Sequence, residues 1–536
     1  MNKNKSKKYF LIQTLRQIGQ TLFFLLFLYL FLKTQFPNGD YIGPVEIIFH
    51  FDPLLAITTF LSSHKFFLPF LFSLITIGVT LFLGRVFCGW ICPLGTINHF
   101  FSFLFIKSKL STPAQNSPKR LAWKYYLLIF ILISSVFSLD LAGVFDPLSL
   151  TFRSFTISVF PASNYLLSKL LDIFYNLNLI SVGDFFSQIH QYILINSNFK
   201  QGFFIGLIFI IIILLNLSRN RFWCKYLCPL GALFGLISKW NILKLNINRD
   251  DCIECDLCNQ YCSGEANPFP EDRWNPSECI YCFKCGAICP TRAVDFNSKL
   301  RPEKRGQIDL ERRKWIFTAI LGVIAVPFFR ISPSQNRSSP KLIRPPGALP
   351  EEEFLKKCVR CGECMKVCPT NGLQPCIGEG GVEGFWTPVL VPTIGYCEYN
   401  CTLCGQVCPS GAIKELPLEE KKKIKIGLAF IDKNRCLPYF GGISCIVCEE
   451  HCPTSPKAIK FVQIEVTKPN GNLKKVLAPV VDTELCVGCG ICETKCPVVD
   501  QPAIYITSIG ETRSEKNRLI LELQEPTSIL KNNNQI

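Results

Sequence analysis

Residues 311–330, ERRKWIFTAILGVIAVPFFR, place a basic patch before an apolar run and divide two arrays of closely spaced cysteines. Two cysteine motifs precede this stretch and four follow it. The apolar run, of about fifteen residues, is short for a membrane span, which needs roughly 20. A hydrophobic segment between two such arrays predicts that the chain crosses from one compartment to another at this point.

The composition points to a membrane protein that holds metal clusters. Of 536 residues, 49% are hydrophobic and 18% are charged, which is apolar for a soluble protein, and the length requires several domains. The 29 cysteines occur in tight, repeated spacings that suit metal clusters better than disulfides. The net charge of +16 does not indicate nucleic-acid binding, because many basic residues flank apolar segments and thiolate-bound clusters carry negative charge.

Four apolar segments in the first half are expected to form membrane helices, namely Gln20–Leu32 and residues 66–84, 124–144 and 202–217. No small-residue cleavage site follows the first segment, which favours an uncleaved helix over a signal peptide. Lys and Arg concentrate between the second and third segments and after the fourth. Because positive charge stays on the cytoplasmic side, the N-terminus and residue 250 are predicted to be cytoplasmic.

This half also contains an internal repeat, which indicates the duplication of a helix pair. The sequence FDPL occurs at residues 51–54 and 145–148, and C-x3-C-P-L-G occurs at 88–95 and 224–231. An Asp before Pro is typical of a helix N-cap. A carboxylate at a membrane boundary can also relay protons. On that second interpretation, Asp52 and Asp146 are candidate catalytic residues beside a quinol pocket.

The two cysteine pairs of the repeat have several possible roles. The four residues are Cys88, Cys92, Cys224 and Cys228. Each pair could bind a metal, form a redox-active disulfide or pack against a cluster. Two thiols cannot complete a four-thiolate site, although all four together could.

The next segment has the spacing of a bacterial two-cluster ferredoxin, C-x2-C-x2-C-x3-C written twice. In that pattern the fourth cysteine of each run binds the other cluster. The predicted [4Fe-4S] ligand sets are Cys252, Cys255, Cys258 and Cys289 for one cluster, and Cys279, Cys282, Cys285 and Cys262 for the other. Zinc is the alternative, but its sites usually use separated cysteine pairs.

Four more cysteine motifs follow a linker rich in Pro and Ser. They are Cys358, Cys361, Cys364 and Cys368; Cys397, Cys401, Cys404 and Cys408; Cys436, Cys445, Cys448 and Cys452; and Cys486, Cys489, Cys492 and Cys496. Sixteen thiols suit four [4Fe-4S] clusters, which makes six in the whole chain. Pseudo-symmetry favours a nested pairing of the first motif with the fourth and the second with the third, and pairing of adjacent motifs is the alternative. Cys376 is left over and is expected to be a buried thiol.

The predicted fold is an α-helical membrane domain of four helices plus a fifth crossing segment, joined to α+β bacterial ferredoxin-like domains. The expected divisions are 1–245 for the membrane domain, 246–300 for a two-cluster domain, 301–350 for the crossing segment and linker, 351–510 for a four-cluster domain, and 511–536 for a tail. The sequence has no C-x-x-C-H haem motif and no convincing nucleotide-binding motif.

These motifs resemble a known family of membrane electron carriers. Residues 1–300 look like the membrane subunit of the NapGH-type (MauN/MauM-like) quinol dehydrogenases. Residues 311–510 look like the periplasmic NapG/MauM-type partner, on the strength of RRKWIF, CVRCGECMKVCPTNGLQP, GYCEYNCTLCGQVCPSGAI and CVGCGICETKCP. The resemblance implies that two usually separate subunits are fused, oxidise quinol and deliver electrons to a periplasmic acceptor protein.

Two other functions are compatible with the same residues. The first half is also similar to NosR-type and CcoG-type proteins, which implies electron supply for the reduction of a metal or the maturation of a cofactor. The absence of a flavin-binding domain argues against the NosR type. The third interpretation is a passive polyferredoxin subunit of a larger complex.

The crossing segment itself resembles an export signal. Arg312 and Arg313 open RRKWIF, which is similar to the twin-arginine signals that export folded proteins. Such export suits clusters that are assembled on reduced thiols before they reach an oxidising compartment. The predicted location is the inner membrane, with residues 246–310 in the cytoplasm and 331–536 in the periplasm. An ordinary positive-inside flank is the alternative.

Overall fold

The structure, a computed structural model, covers most of the chain but not all of it. It describes residues 3–34, 46–105, 118–177, 184, 187, 198–298, 311–330, 339–467, 473–514 and 517. Part of the expected linker (331–338) and most of the expected tail lie outside the described residues.

The first half, here called the helical half (residues 3–240), is built from α-helices. They are α1 Lys3–Lys33, α2 Ile47–His50, α3 Pro53–Ser63, α4 Ser73–Leu83, α5 Val86–Trp90, α6 Pro93–Phe105, α7 Pro118–Leu121, α8 Trp123–Val136, α9 Ala142–Phe145, α10 Pro147–Ser154, α11 Phe160–Asn176, α12 Gly202–Leu214, α13 Phe222–Tyr226 and α14 Pro229–Ile237. Short 3-10 turns precede α4 and follow α12 and α14, and a π-helical turn joins α10 to α11.

The expected membrane helices are only partly present at the lengths that the sequence suggested. Among the described residues, one helical stretch, Lys8–Lys33, is long and apolar enough to cross a membrane. The other apolar stretches are helical over Leu68–Leu83, Trp123–Val136 and Gly202–Leu217, each shorter than the roughly 20 residues of a full span. Lys8–Lys33 reaches the length of a span, whereas the helix lengths of the other three segments do not confirm the prediction that they cross a membrane. The third ends early because Ser138 has a positive φ of 65°.

The remaining elements form two cysteine-rich parts, here called the middle domain (243–298) and the C-terminal domain (339–514). The middle domain contains β1 Leu243–Ile247, α15 Leu257–Gln260, α16 Lys284–Ile288 and β2 Val294–Ser298, and α17 Arg312–Arg330 follows it. The C-terminal domain contains α18 Glu351–Lys357, α19 Glu363–Lys366, β3 Leu373–Pro375, β4 Pro388–Leu390, α20 Leu403–Gln406, α21 Leu418–Lys423, β5 Leu428–Ile431, α22 Leu437–Gly441, α23 Val447–Glu450, β6 Ile459–Thr467, β7 Leu473–Val481, α24 Ile491–Lys495 and β8 Ile504–Thr507. All four strand pairs are antiparallel: β1–β2, β3–β4, β5–β8 and β6–β7.

The two cysteine-rich domains pack against different ends of helix α1. Near its start, Tyr9 packs in the apolar core of the middle domain with Phe296. Near its end, Phe31 lies under Lys366 of the C-terminal domain, whose Nζ is 4.5 Å from the ring centroid. At a rise of 1.5 Å per residue these two contacts are roughly 33 Å apart along the helix.

Helix α4, together with the 3-10 turn before it, also contacts the two cysteine-rich domains at opposite ends. At its start, Phe67 packs against Gly411 of the C-terminal domain. At its end, Gly84 has a φ of 77°, and a Cβ there would lie 2.1 Å from the Tyr281 ring of the middle domain. Only glycine therefore fits where the middle domain meets the helix.

A network of two arginines and one carboxylate joins three segments of the C-terminal domain. Nη2 of Arg344 lies 2.5 Å from Oε1 of Glu351, and Nη1 of Arg513 lies 2.8 Å from Oε2. Burial alone would raise the pKa of Glu351, but the two guanidinium groups outweigh burial and hold that pKa at about 2. The carboxylate therefore stays ionised at any neutral pH.

We expect Glu351→Gln to lower the stability of this domain by the same amount at pH 6 and pH 8, on the order of 2 kcal/mol. A depressed pKa stabilises the fold fully above the unfolded value of about 4.3, and this stabilisation is lost only as the pH falls towards the folded value. Thermal unfolding followed by circular dichroism measures the effect. Glu352→Gln is the control, because that side chain is 78% exposed. A loss that varies between pH 6 and pH 8 contradicts the prediction.

Candidate functional site

Four cavities in the C-terminal domain are each lined by four cysteines. The sets are Cys358, Cys361, Cys364 and Cys408; Cys368, Cys397, Cys401 and Cys404; Cys436, Cys445, Cys448 and Cys496; and Cys452, Cys486, Cys489 and Cys492. Each set takes three cysteines from one motif and the fourth from its neighbour in sequence. The nested pairing is therefore wrong, and the structure has the adjacent pairing.

Antiparallel strand contacts explain why adjacent motifs pair. In the middle domain, β1 precedes the first motif and pairs with β2, which follows the second. In the C-terminal domain, Ala348 and Ile413 form an isolated bridge around the first two motifs. Strands β5 and β8 pair in the same way around the last two. An antiparallel contact between the residues just before and just after each pair of motifs thus holds the two motifs together.

The middle domain brings the fourth cysteine of its first motif to the second motif. The thiol of Cys262 interacts electrostatically with the thiols of Cys279 and Cys285. The thiol of Cys282 also interacts electrostatically with both of them. Cys252 and Cys289 pack against the same apolar core. The arrangement places Cys262 in the set where ferredoxin spacing expects it.

The thiol sets have the features that an iron-sulfur cluster requires. Among the described residues, no three His, Cys, Asp or Glu side chains are close enough to hold a single metal ion. Backbone N–H groups point at several sulfurs: Ala266 donates to Cys262 at 3.3 Å, and Ile413 donates to Cys408 at 3.4 Å. Such hydrogen bonds tune the reduction potential of a cluster.

Burial makes these cysteines poor thiolates on their own. It raises the pKa of the Cys358 and Cys397 thiols to about 11. Because a cluster binds the thiolate, its assembly must displace protons from such sites. The domain therefore favours thiolates only when iron is present to hold them.

Adjacent pairing makes a prediction about iron content. We expect Cys361→Ala and Cys408→Ala each to remove one cluster, about four irons per chain. Because both thiols line one cavity, the double variant is expected to lose no more iron than either single variant. Iron analysis with quantitative electron paramagnetic resonance measures this. A double variant that loses twice as much iron would restore the nested arrangement, in which these thiols serve different clusters.

The two FDPL motifs meet in the helical half. Oδ1 of Asp52 accepts the N–H groups of Leu54 at 2.8 Å and Leu55 at 3.2 Å, and Oδ2 of Asp146 accepts the N–H of Ser149 at 2.8 Å. Both carboxyl groups are fully buried and interact with each other. The helix-cap interpretation is therefore correct, and the caps also form a carboxyl pair across the repeat.

The carboxyl pair lies beneath the first thiol set of the C-terminal domain. Arg153 interacts electrostatically with Asp146, Cys358 and Cys361, and its Nη1 donates to the backbone oxygen of Arg360 at 2.8 Å. A Cβ on Gly143 would lie 1.9 Å from the backbone oxygen of Val359. The peptide between two predicted cluster ligands thus packs directly on the helix that leads into the second FDPL motif.

A histidine forms a second contact between the helical half and the chain around the same thiol set. Nε2 of His50 lies 3.0 Å from the backbone oxygen of Pro409, which follows the ligand candidate Cys408. His50 is two residues before Asp52. The sequence reasoning missed His50 and Arg153, although both lie within a few residues of an FDPL motif.

The cysteine pairs of the repeat lie at the other end of the helical half, next to the middle domain. Cys88 and Cys224 both interact electrostatically with Cys92 and Cys228, so the structure brings all four thiols together. The sequence reasoning missed the arginine that stands three residues before each pair, Arg85 in the first copy and Arg221 in the second. The available signal was the longer repeat R-x2-C-x3-C-P-L-G.

Cysteine 376 is separate from all these sets. It is fully buried, and its sulfur accepts the N–H of Gly380 at 3.2 Å. Burial raises the pKa of the Cys376 thiol to about 11, while Arg344 acts in the opposite direction. The structure places it among apolar residues of the C-terminal domain, with Leu342 and Val389.

Comparison with known proteins supports iron-sulfur binding in both halves. A family model described as a 4Fe-4S binding domain matches residues 66–113 and 201–248, and a second model with that description matches 354–374 and 479–499. No solved structure matches the chain.

Relatives among curated proteins define the family more narrowly. The chain is 37% identical over 178 residues to the methylamine utilization ferredoxin-type protein MauM of Methylorubrum extorquens, covering 32% of this chain and 76% of the relative. It is 36% identical over 181 residues to the ferredoxin-type protein NapG of Escherichia coli, covering 33% and 76%. MauM of Paracoccus denitrificans is 33% identical over 193 residues, covering 35% and 81%. This chain is an iron-sulfur electron-transfer protein and belongs to the family of ferredoxin-type proteins that includes MauM and NapG.

Proposed function

We propose that this chain is a membrane-bound quinol dehydrogenase that passes electrons through six [4Fe-4S] clusters to an acceptor protein outside the cytoplasmic membrane. The observation that carries the proposal is the buried pair of Asp52 and Asp146 beneath the first thiol set of the C-terminal domain. A proton acceptor and an electron acceptor are needed at one place when a quinol is oxidised. Here Arg153 lies between the two.

The residues around this pair have complementary tasks. Oxidation of a quinol to a quinone releases two electrons and two protons. Two carboxyl groups in contact hold at most one negative charge between them, so the pair accepts the two protons one at a time and passes the first to solvent before it takes the second. Arg153 stabilises that negative charge and, through the backbone oxygen of Arg360, fixes the C-terminal domain on the carboxyl pair. The electrons leave one at a time to the clusters held by the neighbouring thiols.

Surface and dimensions support a place in the membrane. Helix α1 exposes Phe10 and Leu22 at 68% and 60%, and Phe203 on α12 is 85% exposed. Apolar surface of this extent suits contact with lipid. The roughly 33 Å along α1 between the contacts of Tyr9 and Phe31 with the two cysteine-rich domains is close to the roughly 30 Å of a bilayer core. We therefore place the middle domain in the cytoplasm and the C-terminal domain outside.

Reduction of the purified full chain by a quinol tests the proposal. With menaquinol or ubiquinol analogues, the visible absorption of the iron-sulfur clusters is expected to bleach. No bleaching by quinol, combined with rapid reoxidation of dithionite-reduced clusters by copper ions, would favour metal reduction or cofactor maturation instead. No reaction with either reagent until another subunit is added would favour a passive polyferredoxin.

Export of the C-terminal domain has its own test. Helix α17 begins at Arg312 and carries the basic pair on its first turn. We expect Arg312→Lys/Arg313→Lys to keep the C-terminal domain in the cytoplasm, because twin-arginine export depends on the arginines rather than on charge alone. Protease protection in spheroplasts measures its location. Normal export in the variant would show that the pair is an ordinary positive flank.

A further inference from the structure

The cysteine pairs of the repeat form one buried group, here called the repeat thiols. They are Cys88, Cys92, Cys224 and Cys228. Three are buried and Cys224 is half-buried. Cys92 immediately precedes helix α6, and Cys228 caps helix α14, where its sulfur accepts the N–H of Gly231 at 3.2 Å. The positive ends of two helices therefore meet at the thiols.

Two buried arginines reach the repeat thiols from the opposite copy of the repeat. Arg221, from the second copy, donates through Nη2 to the backbone oxygen of Cys88 at 2.6 Å. A Cβ on Gly95, also in the first copy, would lie 2.8 Å from that same Nη2. In the same way, a Cβ on Gly231, in the second copy, would lie 2.9 Å from Nη2 of Arg85, which comes from the first copy. Glycine in each C-P-L-G motif therefore leaves room for the arginine of the other copy.

The arginines are not fully satisfied by the protein. Both are 2% exposed. Nε and Nη1 of Arg221 and Nε of Arg85 have no hydrogen-bond partner within the described part of the chain. Arg85 has an ion pair with Glu278, whereas Arg221 forms none with the residues that the structure describes. A buried charge without a partner is strongly unfavourable, so an anionic group is expected beside Arg221.

We propose that the repeat thiols together bind a single iron-sulfur cluster, shared between the two copies of the repeat. Four thiolates around an iron-sulfur core give a net negative group, which matches the two arginines and two helix N-termini. The family model for 4Fe-4S binding matches each copy separately, yet each copy brings only two thiols. Sharing supplies the four thiolates that such a cluster needs.

The position of this site suits one-electron exchange with the middle domain. A Cβ on Gly89, within the first cysteine pair, would lie 2.4 Å from the backbone oxygen of Ile280. Arg16, which is 1% exposed, interacts electrostatically with both Cys282 and Arg221. The backbone of the first cysteine pair thus contacts the segment that carries the second thiol set of the middle domain. The inference does not depend on quinol as the reductant.

The iron content of the wild-type full chain gives the first test. Six [4Fe-4S] clusters account for about 24 irons per chain, and a seventh cluster raises the count to about 26 or 28, depending on its type. Protein purified without oxygen and labelled with a Mössbauer-active iron isotope gives both the count and the cluster type. A count near 24 overturns the proposal, as does zinc bound in place of the additional iron.

Substitutions then locate the additional cluster. We expect Cys92→Ala and Cys228→Ala to lose the same two or four irons, and the double variant to lose no more than either alone. Cys376→Ala is the matched control, a buried thiol outside every set, and is expected to retain all iron. Electron paramagnetic resonance of the other clusters shows that each variant is folded. A double variant that loses twice as much iron, or full iron with a disulfide between repeat thiols by mass spectrometry, overturns the inference.

Discussion

Replacing Asp146 with asparagine is expected to slow the reduction of the clusters by quinol about 10²- to 10⁴-fold, the usual loss when a general base is removed. The carboxyl groups of Asp146 and Asp52 are fully buried and interact with each other. Oδ2 of Asp52 and Oδ1 of Asp146 have no hydrogen bond to other described residues. Because the two carboxyl groups are hydrogen-bonded to each other, a proton taken from a substrate is shared by the pair.

Asparagine separates the two roles of Asp146. As a helix cap it is as good as aspartate, because its side-chain oxygen also accepts an N–H, here that of Ser149. Unlike aspartate, it cannot accept a proton. The variant is therefore expected to keep the fold, the iron content and the rate of reduction by dithionite, while the quinol-dependent rate falls.

A third aspartate provides the matched control. Asp140 is also fully buried, and its Oδ1 accepts the N–H of Ala142 at 3.0 Å, yet no carboxyl group among the described residues pairs with it. We expect Asp140→Asn to retain most of the quinol-dependent rate in stopped-flow absorption measurements. Equal losses in the two variants, or an Asp146→Asn chain as fast as wild type, would mean that the pair only caps helices.

Cysteine spacing predicted the middle-domain set of Cys262, Cys279, Cys282 and Cys285 but not the pairing of motifs in the C-terminal domain. In the middle domain the two motifs are alone, so only one exchange of fourth cysteines is available. Four motifs allow several ways of exchanging fourth cysteines. Pseudo-symmetry favoured the nested pairing, whereas the structure has the adjacent pairing. The correct choice depends on short antiparallel contacts such as Ala348 with Ile413 and β5 with β8. Contacts of this length have too few residues for a clear alternating pattern in the sequence.

Hydrophobicity located the helices of the first half but not their ends. Within the apolar stretch at 124–144, helix α8 ends at Val136, and Arg330 donates to the backbone oxygen of Ser138 at 3.0 Å where the chain turns. The hydrophobicity of the segment does not reveal such a turn, because most residues on both sides of it are apolar. Arg85 and Arg221 were missed for a similar reason, since basic residues near apolar segments were attributed to membrane topology.

The buried glutamate at the junction of the middle domain and the helical half is expected to be the most important single charge for stability. Glu278 is 1% exposed and pairs with two cations that are equally buried, Arg85 at 3.2 Å and Lys124. Its other oxygen accepts the hydroxyl of Tyr125 at 2.9 Å. We expect Glu278→Gln to lower the free energy of unfolding by about 3–5 kcal/mol, because it leaves buried positive charge without a partner.

Two further variants show whether lost charge pairing or lost packing causes the expected destabilisation by Glu278→Gln. Glu265→Gln breaks a single ion pair, with Lys225 at 2.8 Å, where the carboxylate is 10% exposed, and is expected to cost less than Glu278→Gln. Adding Lys124→Met to Glu278→Gln removes one orphaned cation and is expected to recover part of the loss. Denaturation of the full chain, followed by the release of iron from the middle domain, measures all three. If the double variant is less stable than Glu278→Gln alone, lost packing rather than uncompensated charge holds this junction together.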